Sequence, residues 1–372
     1  MSQHVDVIVV GGGPAGCATA LTLKRAGRSV ALIERSLNDK EHSGETLPPA
    51  AQPILTRLGL WTRFQAQKQT PSHTIRSCWG QPELYDYDYS FHPYGPWWLL
   101  DRKRFDAMLA AEVEAEGGIV NRNSRLRAVI QHDANHWSAE VINGGKSYPL
   151  HASFMVDATG RPAFLARRHD ARRIVYDSLI GLIAFLPAAN ETASELYILI
   201  EPTSNGWWYS ARFPGGSHIA AFMTDADLII RKRKLLPAVW QAQLKKTRYT
   251  RSRLDSLKLK SLPRLVAAHT MRLQSPFGEG WLAVGDASIA FDPLSSQGIC
   301  HALESGSLAG RVVNSYLAGK RDALEDYANY TKDVFDKYVN LRHYYYGREK
   351  RWLNSIFWQR RHRVSSRETV NL

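Results

Sequence analysis

A β-branched apolar run at 5–10 (VDVIVV) breaks straight into Gly11-Gly12-Gly13-Pro14-Ala15-Gly16, and this junction constrains the fold more than any other stretch. Residues 17–26 then repeat Ala and Leu at helical spacing, Gly27 stops them, and a second apolar run at 29–33 closes on Glu34. Strand, glycine turn, helix and strand within about thirty residues form the unit of a parallel sheet with crossover helices. Gly11, Gly13 and Gly16 satisfy G-x-G-x-x-G. The first glycine makes the tight turn, the second admits a pyrophosphate to the backbone, and the third lets the helix lie close to the strand. Pro14 and Ala15 begin the helix, whose N-terminal N–H groups and dipole favour phosphate oxygens. Glu34, followed by Arg35, stands where an acid accepts hydrogen bonds from an unphosphorylated ribose. The strand before, the helix after and the acid beyond distinguish a dinucleotide site from an incidental glycine turn. Cys17, just inside the helix, reads as small apolar packing rather than an activated thiol.

Later strands are expected at 151–156, ending in Asp157-Ala158-Thr159-Gly160, and at 281–284, ending in Gly285-Asp286. Helices are expected at 101–116, at 298–317 and over most of the chain from 323 onward. Aromatic-rich stretches at 85–91, 137–141, 197–200, 207–213 and 218–223 alternate with period two, which predicts antiparallel strands of a second sheet. The chain therefore divides into a dinucleotide-binding part (1–80, 98–180 and 265–320), a β-rich substrate-side part (81–97 and 181–264) and a helical basic and aromatic tail (321–372).

Hydrophobic residues make up 44% and charged residues 22%, enough for a core and unlike a disordered chain. No apolar run approaches the ~18–20 residues of a transmembrane helix, and the run at 5–10 lacks the basic flank of a secretory signal. Three cysteines, Cys17, Cys78 and Cys300, make neither a disulfide framework nor a metal-ligand spacing. A reducing compartment, the cytoplasm, is the expectation, with no metal. Lys and Arg number 48 against 35 Asp and Glu, a net +13. The excess gathers at 231–234, through Lys245, Lys246, Arg248, Arg251, Arg253, Lys258 and Lys260, and again at 342–367. There Arg342, Arg348, Lys350, Arg351, Arg360, Arg361 and Arg363 interleave with Tyr344, Tyr345, Tyr346, Trp352, Phe357 and Trp358. Two readings stand: solvated helices whose long side chains cover apolar neighbours, or a docking surface for an acidic macromolecule. Nucleic acid is not expected, because no zinc-finger or RNP motif accompanies the charge.

Four further segments point to flavin. Gly285-Asp286-Ala287 with Phe291-Asp292-Pro293-Leu294-Ser295-Ser296-Gln297-Gly298-Ile299 resembles the GD-plus-DPxxxxG signature of p-hydroxybenzoate hydroxylase-like flavoproteins. Arg102-Lys103-Arg104-Phe105-Asp106 resembles their R-x-x-F-D helix start, Ser43-Gly44-Glu45 their G-E turn, and Asp157 to Gly160 their D-A-T/D-G element. The resemblance implies an α/β fold: a Rossmann-type FAD-binding domain, an inserted antiparallel β-sheet substrate region and a C-terminal helical segment. It implies FAD contacts from Glu45, Arg102, Asp157, Gly160, Gly285, Asp286, Pro293, Gln297, Gly298 and Ile299. Helix N-terminal N–H groups after Pro293 suit the negative charge of a reduced isoalloxazine.

Among branches of that group, tryptophan halogenases are the first competitor. Gly206-Trp207-Trp208-Tyr209 has Tyr209 in place of their second Trp and no Ile-Pro in register. Lys68 falls short of the place of their catalytic lysine, which Ser72-His73 occupies, and Ser295 stands at their glutamate. Ser43 to Pro49, Trp97 to Asp106 and Gly206 to Ala211 instead resemble LodB-like and GoxB-type flavoproteins. Those modify a tryptophan in the precursor of a quinone-cofactor amino-acid oxidase, so the resemblance implies a protein substrate, with no nucleic acid and no membrane. It implies a monooxygenase using NAD(P)H and oxygen on an aromatic group. The alternatives are a small-molecule aromatic hydroxylase, a halogenase-like enzyme and a geranylgeranyl reductase-like flavoenzyme. No second G-x-G-x-x-G lies between 150 and 372, so no dedicated nicotinamide domain is expected. Candidate substrate-pocket residues are His73, Trp207, Trp208, Tyr209 and Asp292; no residue carries a catalytic assignment.

Overall fold

The computed structural model describes residues 3–35, 45–187, 196–213, 217–229, 235–254, 259 and 262–363. The basic run 231–234, Lys258, Lys260, Ser43, Gly44 and everything from 364 lie outside them. Strand Gln3–Val10 sits at the centre of a first sheet, with Val30–Ile33 on one side and Lys146–Asp157 on the other, all parallel. Ile119–Asn121 and Trp281–Ala283 extend it in parallel at either end. The four strand ends Val10, Ile33, Asp157 and Ala283 lie in adjacent register, so the loops that follow them converge on one edge. That is the crevice where doubly wound sheets bind ligands.

One strand departs from expectation in its partners. The 137–141 stretch is part of His136–Asn143, which pairs antiparallel with Ser124–Asp133 and Lys146–Asp157. It is thus an outgrowth of the first sheet and not a strand of the second. Trp137 explains the preference: its ring is fully buried in the core beneath the first sheet, against His169. The second sheet has seven strands, with Arg264–Ala267, Leu179–Leu186, His218–Asp225, Gly206–Arg212 and Tyr197–Thr203 in spatial order, then Thr74–Ser77 and the edge strand Tyr85–Asp88. Because side chains alternate along a strand, the sheet has two different faces. Leu182, Ala184, Trp208, Ala220 and Phe222 form one, covered by helices Leu236–Leu244 and Tyr249–Leu254. The other face turns toward the strand ends of the first sheet.

Helix Gly298–Leu317 packs on helix Pro14–Arg25 through small residues. A Cβ on Gly306 would lie 2.3 Å from the Ala15 carbonyl oxygen, and one on Gly310 would lie 2.6 Å from Thr22. This close approach brings both helix N-termini to the same crevice. The C-terminal residues form a long helix, Ala323–Arg348, and a short one, Ile356–His362. Tyr346, Phe357 and Trp358 are fully buried there against Trp79 and Trp207 of the second sheet's side. Arg361, itself buried, pairs with Asp225 at 2.8 Å, and Arg360 pairs with Asp225 and Asp227. Much of the basic and aromatic C-terminal stretch is therefore core and buried ion pair, and Tyr344, Tyr345, Leu353 and Ile356 remain exposed. No helix among the described residues is long and apolar enough to cross a membrane.

Candidate active site

One cavity of about 470 Å³ runs from the glycine turn to the inner face of the second sheet. Its first half is built by the loops at the strand ends. Gly11 has φ +112°, and a Cβ there would lie 2.2 Å from the Ala158 oxygen; a Cβ on Gly16 would lie 1.9 Å from the Gly11 oxygen. Both are glycine because the chain's own backbone crowds them. Gly13 differs, since a Cβ there meets nothing within 4 Å and the residue faces the cavity. A glycine kept where the protein leaves room is a cradle for an incoming group. Gly13 is also the N-cap of its helix, with no side chain capping it. Gly160 and Gly298 likewise line the cavity with open space at the Cβ position. Two helix N-termini thus point positive ends into one chamber.

The charged groups all lie in this half. Arg102 starts helix Arg102–Ala115, whose N-cap Asp101 accepts from the Arg104 N–H at 3.1 Å. Its guanidinium grips Asp106 one turn on, at 3.1 and 3.3 Å, and faces the cavity. Arg161 donates to the carbonyls of His269 and Phe291 and approaches Asp286 at 3.5 Å. Burial raises the Asp286 carboxyl above its ordinary range, with Arg161 and Arg102 pulling it back. Glu34 accepts the Gly12 N–H at 2.5 Å, which fixes its carboxylate beside the turn. Asp292 is 1% exposed; its Oδ1 accepts from the Leu294 N–H and its Oδ2 from the Tyr346 hydroxyl at 2.7 Å. Burial raises its carboxyl too, opposed by Arg342 and reinforced by Asp177.

The second half is the inner face of the sheet. Ile75, Ile183, Ile198, Ile200, Ile219, Ala221 and Met223 line it with Trp97, Trp207 and Tyr209. No lysine, arginine, aspartate, glutamate or histidine of the strands contributes to this half among the described residues.

Several expected residues lie elsewhere. Trp208, one residue from Trp207 and Tyr209, points to the opposite face, where it packs against Phe222 and meets Trp240 edge-on. His73 is exposed and outside the cavity. Asp157 is fully buried, and its two oxygens accept from the N–H groups of Thr159, Leu165 and Ala166 and from the Thr159 hydroxyl. It shapes the 158–160 turn and does not face the chamber. Pro14, Ala15, Asp286, Pro293 and Ile299 do line it; Gln297, Gly285 and the exposed Arg35 do not. Of Glu45 the structure describes the backbone, in strand Glu45–Leu47 paired with Trp97–Leu100. Cys17 is buried, with its thiol against the Gly12 carbonyl, and burial pushes that thiol up, away from reactivity. Sequence reading missed Arg161, Trp97 and the helix residues Tyr338, Arg342 and Tyr346. Arg161 directly follows the Gly160 turn, so position was the available signal.

A crevice of open glycines, two helix N-termini and flanking arginines defines a dinucleotide-linked cofactor site, and the comparisons name its class. The chain belongs to the FAD binding domain family, which matches residues 4–341. It is a flavin-dependent enzyme. The curated protein LodB of Marinomonas mediterranea, described provisionally as a FAD-dependent oxidoreductase, is 29% identical over 98% of each chain. The structure of the myxobacterial chondrochloren halogenase CndH superposes with a TM-score of 0.88 at 21% identity, covering 96% of this chain and 86% of that one. The peptidyl tryptophan dihydroxylase QhpG, essential for tryptophylquinone cofactor biogenesis, superposes with a TM-score of 0.81 at 24% identity, covering 99% of this chain and 81% of that one. The expected fold and flavoprotein group are borne out.

Proposed function

We propose that this chain is a FAD-dependent monooxygenase that hydroxylates a tryptophan side chain held in a protein, the precursor of a quinone-cofactor oxidase. The observation that carries the reading is the chemistry of the cavity's second half, with its isoleucines, Ala221, Met223, Trp97, Trp207 and Tyr209. Free tryptophan would bring an ammonium and a carboxylate into a wall with no charge to meet them, at a cost of several kcal/mol. A tryptophan carried on a polypeptide brings its indole and neutral amides, with no charge. The likeness to QhpG, a peptidyl tryptophan dihydroxylase, agrees with that reading, and the likeness to LodB agrees with its flavin-dependent oxidoreductase part.

Gly11, Gly13, Pro14, Ala15, Gly16 and Glu34 would hold the adenine-nucleotide part. Arg102, Asp286, Pro293, Gly298 and Ile299 would surround the flavin. When bound, FAD supplies the oxygen activation, with NAD(P)H as the electron donor. The balance is R–H + O₂ + NAD(P)H + H⁺ → R–OH + NAD(P)⁺ + H₂O. The chain's part is to hold the indole against the cofactor and to keep water out, which the apolar strands do. The halogenase alternative calls for a lysine in the chamber; none lines it among the described residues, and Lys68 is exposed. The test is NADH oxidation and oxygen uptake with and without unmodified oxidase precursor, followed by mass spectrometry of that precursor. Oxygen gained on tryptophan is the expected result, and an unmodified precursor refutes the reading.

A further inference from the structure

Three residues of helix Ala323–Arg348 converge on a single cofactor-side residue. Tyr338, Arg342 and Tyr346 stand four apart and share one face. The Tyr338 hydroxyl accepts the Asp292 backbone N–H at 2.9 Å and shares a 2.8 Å hydrogen bond with Thr270. Arg342 lies between Asp177 at 3.0 Å and Asp292 at 3.6 Å. Tyr346 donates to the Asp292 carboxylate and accepts the indole N–H of Trp207 at 3.0 Å. Tyr346 is 0% exposed, so both hydrogen bonds are shielded from water. Burial, reinforced by Asp292, raises its phenol well above the ordinary value, which keeps the hydroxyl a neutral donor.

Trp207 walls the apolar half of the cavity, and Asp292 opens the Asp292-Pro293-Leu294 turn that leads to Gly298 in the other half. We propose that Tyr346 is a positioning residue that ties the substrate wall to the cofactor segment, so that a change at Trp207 is felt at the flavin through Asp292. The proposal rests on the reading that the cavity holds FAD. A tie of this kind has a physical warrant: removing a buried hydroxyl leaves each of its partners unpaired in a dry site, and losing one partner frees the hydroxyl to shift on the other. The two halves are then set by one hydroxyl and not by two independent contacts.

The test is a double-mutant cycle on the full chain with FAD as the only probe. Tyr346→Phe, Trp207→Phe and the double variant are titrated with FAD, reading affinity and the absorption band of the bound flavin. Thermal unfolding without FAD checks the fold. Each single change is expected to weaken FAD binding roughly tenfold and to move the flavin band, the scale of one unpaired buried group. In the Tyr346→Phe background, Trp207→Phe is expected to add nothing, since the route is already cut. A Tyr346→Phe protein with wild-type affinity and band overturns the proposal, as do effects that simply multiply in the double variant. Should Tyr346→Phe not fold, Trp207→Phe alone decides: a weakened FAD affinity and a moved band support the tie, and wild-type values overturn it. Failure of the wild-type chain to bind FAD refutes the cofactor reading instead.

Discussion

The two halves of the cavity are built on opposite principles. The cofactor half is made of backbone: turns and helix starts at the ends of parallel strands, with glycine wherever the chain or a ligand needs the space. The substrate half is made of side chains, the alternate residues of an antiparallel sheet, backed by helices Leu236–Leu244 and Tyr249–Leu254, with the C-terminal Tyr346, Phe357 and Trp358 packed beside its inner face. A backbone site is specified locally, by short motifs. A side-chain wall is specified by which face each residue takes and by partners far away in the chain.

That contrast can be broken most sharply inside the glycine turn. Gly13→Val points into open space, so the FAD-free chain should unfold at its wild-type temperature while FAD affinity falls by more than about a hundredfold. Gly16→Val has its Cβ 1.9 Å from the Gly11 oxygen, so the fold itself should fail, read as loss of soluble protein. Unchanged flavin occupancy in Gly13→Val would refute the placement of the pyrophosphate. In the side-chain half the largest effect is expected at the buried ion pair. Arg361→Met leaves Asp225 with Arg360 alone and should cost about 3–5 kcal/mol in urea unfolding.

Next in size is an acid sensitivity that belongs to the boundary between the halves. His301 is buried beside Phe291, its Nε2 lacks a hydrogen-bond partner among the described residues, and burial lowers its pKa from 6.5 to about 4. The unfolded chain takes up the proton below pH 6.5, and the folded chain resists until about pH 4. Stability from this group is therefore full above pH 6.5 and falls as the pH drops toward 4, by about 3 kcal/mol. His301→Leu should flatten that part of the stability–pH curve, and an unchanged curve would mean that other groups carry it. The smallest effect separates two neighbouring rings. Trp208→Phe should cost about 1–2 kcal/mol of stability and leave turnover nearly intact, because Trp208 packs behind the sheet. A turnover loss as large as that of Trp207→Phe would place Trp208 in the chemistry after all.

What could be read from the sequence follows the same division. The glycine turn with Glu34 beside it, Arg102, Gly160, Asp286 and, in the 292–299 segment, Asp292, Pro293, Gly298 and Ile299 were legible because each belongs to a local pattern with a local cause. Trp208 was placed on the wrong side although strand alternation alone separates it from Trp207 and Tyr209. The 137–141 strand was assigned to the wrong sheet because alternation predicts a strand but not its partner. Asp157 was legible as a turn element of its motif, but the use of its carboxylate on Leu165 and Ala166 is a contact the motif does not encode. The spacing of Tyr338, Arg342 and Tyr346 was visible as one helix face. That the face meets Asp292, 46 to 54 residues earlier, is tertiary packing that no spacing records.

The central claim is that a flavin site of backbone faces an uncharged wall built for an indole on a polypeptide. The most direct measurement supplies the FAD-loaded enzyme with NADH, oxygen and bromide, and offers it tryptophan either in an end-capped peptide or as the free amino acid. Mass spectrometry then reads the products. Oxygen on the peptide's tryptophan, with free tryptophan untouched, is the predicted result. Oxygen on the free amino acid at an equal rate, or bromine on either, would contradict it.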